Sequence, residues 1–152
     1  MKPSMLLVMD MINDLVHADG AGAKTYVPLM AERDVFGRTR TFIDRARAAG
    51  VLVGYVRVAF APDYRDWPPN SPVFSRARDN GLFKLGGWGT RVHEAVAPAE
   101  GDFDFVKPRV SPFYGTGLEP ALRARGIERL YLCGVSTNGV VHLAAIAGRV
   151  GA

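Results

Sequence analysis

Residues 5–10 read MLLVMD, five apolar side chains in a row and then a carboxylate. A strand with one solvated face alternates apolar and polar residues. An unbroken run of this length suits a strand covered on both faces, as in a parallel sheet. Outward from it the period changes. Between about Met30 and Ala49, Val35, Phe36, Phe42, Ile43 and Ala46 recur at helical spacing, and Gly50 supplies a stop signal. VLVGYVRV (Val51–Val58) is β-branched and strand-like, and FDFVK (Phe103–Lys107) and RLYLCGV (Arg129–Val135) read as further strands. Thr116 to about Arg125 reads as a helix. It opens on a capping box, Thr116-Gly117-Leu118-Glu119, and closes at Gly126. Ser136, Thr137 and Asn138 are placed to cap a last helix from Val141 to about Ala147. Strands alternating with helices predict a three-layer α/β/α domain built on a parallel sheet.

The composition excludes several classes. A chain of 152 residues, 48% apolar and 22% charged, reads as one soluble globular domain over residues 1–152. No run approaches the ~18 apolar residues of a membrane span. The N-terminus is too short for a signal-peptide core, so a cytoplasmic location and no membrane partner are expected. The single cysteine, Cys133, rules out an internal disulfide framework and a cysteine-based zinc cluster. Inside an apolar strand it is expected to be a small buried hydrophobe. His17, His93 and His142 show no ligand-like spacing, and no metal is expected. Net charge is +4, but the arginines alternate with acids and apolar residues in RDVFGRTRTFIDRARAAG and LEPALRARGIERL. That spread suits solvated helix faces, and no nucleic-acid partner is expected.

In a parallel sheet of this class, ligands gather beyond the carboxyl ends of the strands, where strand order reverses. Three strand ends carry polar groups: Asp10, Lys107 and Gly134-Val135-Ser136-Thr137. Partial desolvation would raise the pKa of the Asp10 carboxyl and suit it to acid or base work, while a nearby lysine would hold it ionised and orient it. The alternatives are two solvated strand termini or a structural ion pair. Residues 60–90 are rich in Pro, Gly and aromatics, and a connection this long is usually functional. Trp67, Phe74 and Trp88, with Phe113, are candidates for the walls and lid of a small-molecule pocket, or for core.

These residues also carry a family resemblance. LLVMDMINDLV resembles the opening motif of isochorismatase-like hydrolases, with Asp10, Asn13 and Asp14 on its positions and Ile12 where glutamine is common. GDFDFVKPRVSPFYGTGLEPALRARGIERLYLCGVSTNGVV resembles the second block of that family, through Lys107, Ser111, Phe113, Gly115, Thr116, Gly134, Val135 and Thr137. GWGTRVHEAVAP (Gly87–Pro98) resembles its middle segment, and the matches run in order over almost the whole chain. The resemblance implies an α/β hydrolase of a small molecule with no cofactor. Asp10 would be the general acid/base, oriented by Lys107. A non-proline cis peptide would lie between Val135 and Ser136. The backbone N–H groups of Ser136 and of residue 140 would form an oxyanion hole.

Two departures narrow that implication. The family's nucleophilic cysteine falls on Val140, which cannot form a thioester, and Cys133 lies seven residues earlier. The expectation is therefore a hydrolase independent of cysteine. It would be similar to isochorismatases proper, which cleave a vinyl ether with water and use the aspartate as acid. The rival is a catalytically inactive member kept for binding or subunit assembly. The metal motif of nicotinamidases is absent too, since Tyr64 and Arg65 follow Asp63. The family continues beyond the last helix into a further strand and helix, so a C-terminally truncated domain is expected, with the strand ending at Gly134 near an exposed edge. Two explanations compete for that edge: a truncated, non-functional product, or a protomer completed as a homo-oligomer.

Overall fold

The computed structural model describes residues 2–145. Four strands, β1 (Ser4–Met9), β2 (Leu52–Val58), β3 (Phe103–Lys107) and β4 (Arg129–Gly134), form one parallel sheet in the order β3-β2-β1-β4. The chain lays β2 and β3 to one side of β1 and then crosses to place β4 on the other. Strand order therefore reverses between β1 and β4.

Every residue of β1 is buried, as its unbroken apolar run demands. Leu6, Val8, Val53 and Tyr55 face one layer of helices, α2 (Ala23–Glu32) and α3 (Val35–Ala48), through Met30, Ile43 and Ala46. Met5, Leu7, Met9, Val56 and Phe105 face the other layer, where α4 (Leu118–Ala124) contributes Leu118 and Leu122. The expected three layers are present. Cys133 is half-buried on β4 with its Sγ 3.7 Å from the Leu7 carbonyl oxygen, and burial pushes its thiol up to about 12.

The helices differ from expectation in detail. A four-residue helix, α1 (Asn13–Val16), follows β1 directly, and the single helix expected from Met30 is two. The break falls at Asp34, whose φ of 46° and ψ of 49° stop α2 while its carboxylate accepts the Gly37 N–H at the start of α3. α2 had a weak signature: Pro28 interrupts it, and Met30 is its one buried residue. The capping box is not formed. Thr116 Oγ1 donates to the Pro112 carbonyl (2.5 Å) and accepts the Leu118 N–H (3.2 Å), so α4 starts two residues late. Glu119 turns to Arg123 one helical turn on, at 2.7 Å. Beyond β4, a π-turn (Thr137–Val141) runs into helical backbone at residues 142–145. Residues 146 and 147 of the expected last helix lie outside the described residues.

The connection from β2 to β3 is not featureless. Isolated bridges join Phe60 to Lys84 and Ile12 to Val92. Phe60, Phe74, Ala77 and Phe83 pack with Ile12 and Val58 into a separate apolar cluster. Since Val58 ends β2 and Ile12 follows β1, this cluster covers the carboxyl end of the sheet. No helix among the described residues is long and apolar enough to cross a membrane.

Candidate active site

The carboxyl ends of three strands meet at Asp10. Its φ of 55° turns the chain out of the β1 direction, and its N–H donates to the Val56 carbonyl at 2.8 Å. The side chain then lies against the end of β2, where the Val58 N–H donates to Oδ1 at 2.8 Å. Lys107 is the register partner of Val58 on β3 and reaches across β2, bringing Nζ to 2.8 Å from Asp10 Oδ2. Neither group is a solvated terminus, because their side chains are 7% and 1% exposed. Burial pushes the Asp10 carboxyl above its ordinary value. The Lys107 charge, the Lys107 hydrogen bond and the Val58 N–H pull the other way. A second Lys107 donor reaches the Arg109 carbonyl at 3.3 Å. An ammonium has three donors, and the third has no protein acceptor among the described residues.

On the other side of β1, Gly134 has a φ of +134°, and a Cβ there would lie 2.0 Å from the Met9 carbonyl oxygen. Only glycine lets β4 end this close to β1. The Val135 N–H donates to that same carbonyl at 3.1 Å, and the Val135–Ser136 peptide is cis, as the resemblance implied. The Ser136 carbonyl accepts from Gly139 (3.1 Å) and Val141 (3.4 Å), while the Ser136 N–H has no protein acceptor among the described residues. Val140 is 3% exposed and belongs to the apolar cluster that holds Leu7, Met9, Leu118 and Ala144.

The four aromatic candidates fall in three surroundings. Phe74 is buried, edge-on to Phe60 at 5.2 Å. The Trp67 indole N–H donates to the Phe74 carbonyl (2.8 Å), and the Arg78 guanidinium lies 5.1 Å from its ring. Phe113 packs on the α4 side of the sheet. Trp88 is the exposed one, at 44%, edge-on to His17 at 5.0 Å. His93 stacks on Phe36 at 4.3 Å and is held below its ordinary pKa by burial and by His17. His142 is exposed. Among the described residues, no three His, Cys, Asp or Glu side chains are grouped to hold a metal ion.

Two residues that matched the opening motif carry roles the sequence left unassigned. Asn13 donates from Nδ2 to the Trp88 carbonyl at 3.1 Å, and Asp14 accepts the Phe83 N–H on Oδ2 at 2.7 Å. A Cβ on Gly89 would lie 2.1 Å from Asp14 Oδ1, so the 83–89 segment is pressed onto α1. The signal available in the sequence was a polar pair three and four residues past the strand-end carboxylate.

Comparison with known proteins bears on this geometry. The isochorismatase domain model matches residues 4–149. The ureidoacrylate amidohydrolase RutB of Klebsiella pneumoniae is 31% identical over 153 residues, covering 93% of this chain and 65% of the relative. The chain thus spans just under two thirds of that protein's length. A cysteine hydrolase from Pseudomonas syringae superposes with a TM-score of 0.86 at 26% identity, over 97% of this chain and 66% of the other. N-carbamoylsarcosine amidase from Thermoplasma acidophilum superposes at 0.75 with 30% identity, over 97% and 76%.

Proposed function

The chain belongs to the isochorismatase family, and from that premise we propose that it hydrolyses a small molecule without a cysteine nucleophile. The observation that carries the reading is the buried Asp10–Lys107 pair at the end of β1, whose neighbour β4 ends in register with it just before a Ser136 N–H that has no protein acceptor among the described residues. A carboxyl held above its ordinary pKa by burial is suited to give up a proton and take it back within one cycle. On a vinyl ether, protonated Asp10 delivers its proton to the substrate. Water adds to the resulting oxocarbenium ion, and its proton goes back to the carboxylate. The hemiketal so formed then collapses, breaking the ether C–O bond to leave a ketone and the freed alcohol. On a ureido or carbamoyl compound, ionised Asp10 takes a proton from the attacking water and passes it to the leaving nitrogen. The oxyanion formed between these steps accepts from the Ser136 and Val140 N–H groups and from the third donor of Lys107.

The relatives' names point to the second substrate type, since one acts on ureidoacrylate and another on N-carbamoylsarcosine. The valine at position 140 points to the first. Trp67, Phe74, Trp88 and Phe113 are retained as proposed pocket residues, with Trp88 the ring most open to a ligand. The burial of Val140 in an apolar cluster favours a second reading, an inactive member that binds or assembles. Leu130, Tyr131, Leu132 and Cys133 on β4 are only half-buried, an apolar row that a further segment or a second copy would cover.

The test is product release from isochorismate, small amides, and ureido and N-carbamoyl compounds, with Asp10→Asn beside the parent. Turnover that vanishes in the variant supports the hydrolase, and the substrate turned over fixes the bond cleaved. A folded parent that is silent across the panel would replace the hydrolase with the binding reading.

A further inference from the structure

We propose that Arg109 is a positioning residue for the Lys107 ammonium, an inference that rests on the hydrolytic reading above. After β3 the chain passes through Pro108 and brings the Arg109 carbonyl to 3.3 Å from Lys107 Nζ. The Arg109 side chain fixes that turn from outside. Its Nη1 donates to the Pro108 carbonyl at 2.6 Å and to the Asp66 carbonyl at 2.8 Å. Asp66 is itself tied down, accepting the Ala61 N–H on Oδ1 at 2.8 Å, and the Ala59 N–H donates back to the Lys107 carbonyl at 3.1 Å. The ring of contacts closes at the end of β2, whose Val58 N–H holds the second oxygen of Asp10.

Lysine carries three donors on a flexible four-carbon stem, so one acceptor leaves its ammonium free to spin. With one donor on Asp10 and another on the Arg109 carbonyl, the direction of the third is set. That is the donor the proposed mechanism gives to the substrate oxyanion. Arg109 touches neither substrate nor Asp10. It acts by holding a carbonyl in place and by joining that carbonyl to the 61–66 segment.

The experiment compares the parent chain with Arg109→Met and Arg109→Lys. It reads kcat and KM separately and follows the Asp10 carboxyl by NMR of carbon-13-labelled aspartate, with Asp10→Asn assigning the signal. Arg109→Met is expected to lower kcat about 10–100-fold with KM little changed, as a misplacement near 1 Å does. It should also move the Asp10 midpoint upward, because a loosened ammonium stabilises the carboxylate less. Arg109→Lys should recover part of both, and millimolar guanidinium should restore Arg109→Met. A folded Arg109→Met with the parental midpoint overturns the proposal, even if the 60–70 segment becomes easier to cleave by protease, since that would mark a mere tether. Should that variant not fold, Arg109→Lys carries the test: a raised midpoint supports the proposal and a parental one overturns it. A parent silent on every substrate sinks the hydrolase, while the titration still judges Arg109.

Discussion

Two ion pairs, Asp10–Lys107 and Arg47–Asp102, each join parts of the chain more than fifty residues apart, and they are built for opposite ends. The Asp102 side chain is buried and also accepts the Ala99 N–H at 2.8 Å, but Arg47 keeps 28% of its side chain exposed, although its Nε has no partner among the described residues. That pair fastens α3 to the loop before β3. In Asp10–Lys107 both partners are nearly sealed, and one ammonium donor has no protein acceptor among the described residues. Burial of both partners sharp enough to raise a carboxyl pKa is poor design for a fastener and good design for proton transfer.

The comparison breaks first at Lys107. Lys107→Met leaves Asp10 buried with only the Val58 N–H, and turnover should fall about 10²–10³-fold as an oxyanion donor is lost. Steady-state kinetics on the active substrate of the panel would show it. Parental turnover would return the pair to the class of fasteners. Linkage supplies a second reading of the same site. The native pKa of Asp10 lies above its unfolded value, so its contribution to stability is complete below the ordinary range near 4 and is lost as pH rises through the native pKa. Urea denaturation of the parent and of Asp10→Asn across pH should therefore show the parent losing ground to the variant from about pH 4 upward. The reverse trend would mean that the lysine outweighs burial.

Which of these features the sequence could disclose follows from their range along the chain. β1 was legible because burial on both faces writes itself as MLLVMD. α2 was not, because one buried methionine and an internal proline make no periodicity. Asp10 and Lys107 were legible as strand-end groups, and their pairing was implied by the resemblance, but the geometry of the contact was not legible. β2 separates their strands, and the contact depends on a positive φ at Asp10 and on the reach of a lysine side chain. The Val135–Ser136 cis peptide came from the resemblance alone. Among the aromatics, residue type marked four candidates, and only packing distinguished buried Phe74 from exposed Trp88.

A smaller effect tests the other side of the comparison. Asp102→Asn removes a charge-assisted hydrogen bond from Arg47 and weakens the one from Ala99, a loss of about 1.5–3 kcal/mol in unfolding free energy. Denaturant melts should register it, while kcat and KM stay parental. A fall in turnover would mean that the α3 side of the sheet communicates with the carboxyl ends, and the division by burial would have to be redrawn.

The smallest effect comes from a pair that is exposed and local. Arg65 and Asp63 stand 2.8 Å apart with side chains 78% and 54% exposed, two residues from each other in the segment that Arg109 grips through Asp66. Water and salt screen such charges, and holding two flexible side chains together offsets what attraction remains. Arg65→Ala should therefore leave both the denaturation midpoint and turnover unchanged. The position makes this more than a control. If Arg65→Ala lowers turnover with stability intact, closeness to the Asp66–Arg109 contact matters more than burial, and the 61–66 turn becomes part of the machinery that aims Lys107. If nothing moves, burial is sufficient to separate the ion pairs that serve chemistry from those that decorate the surface.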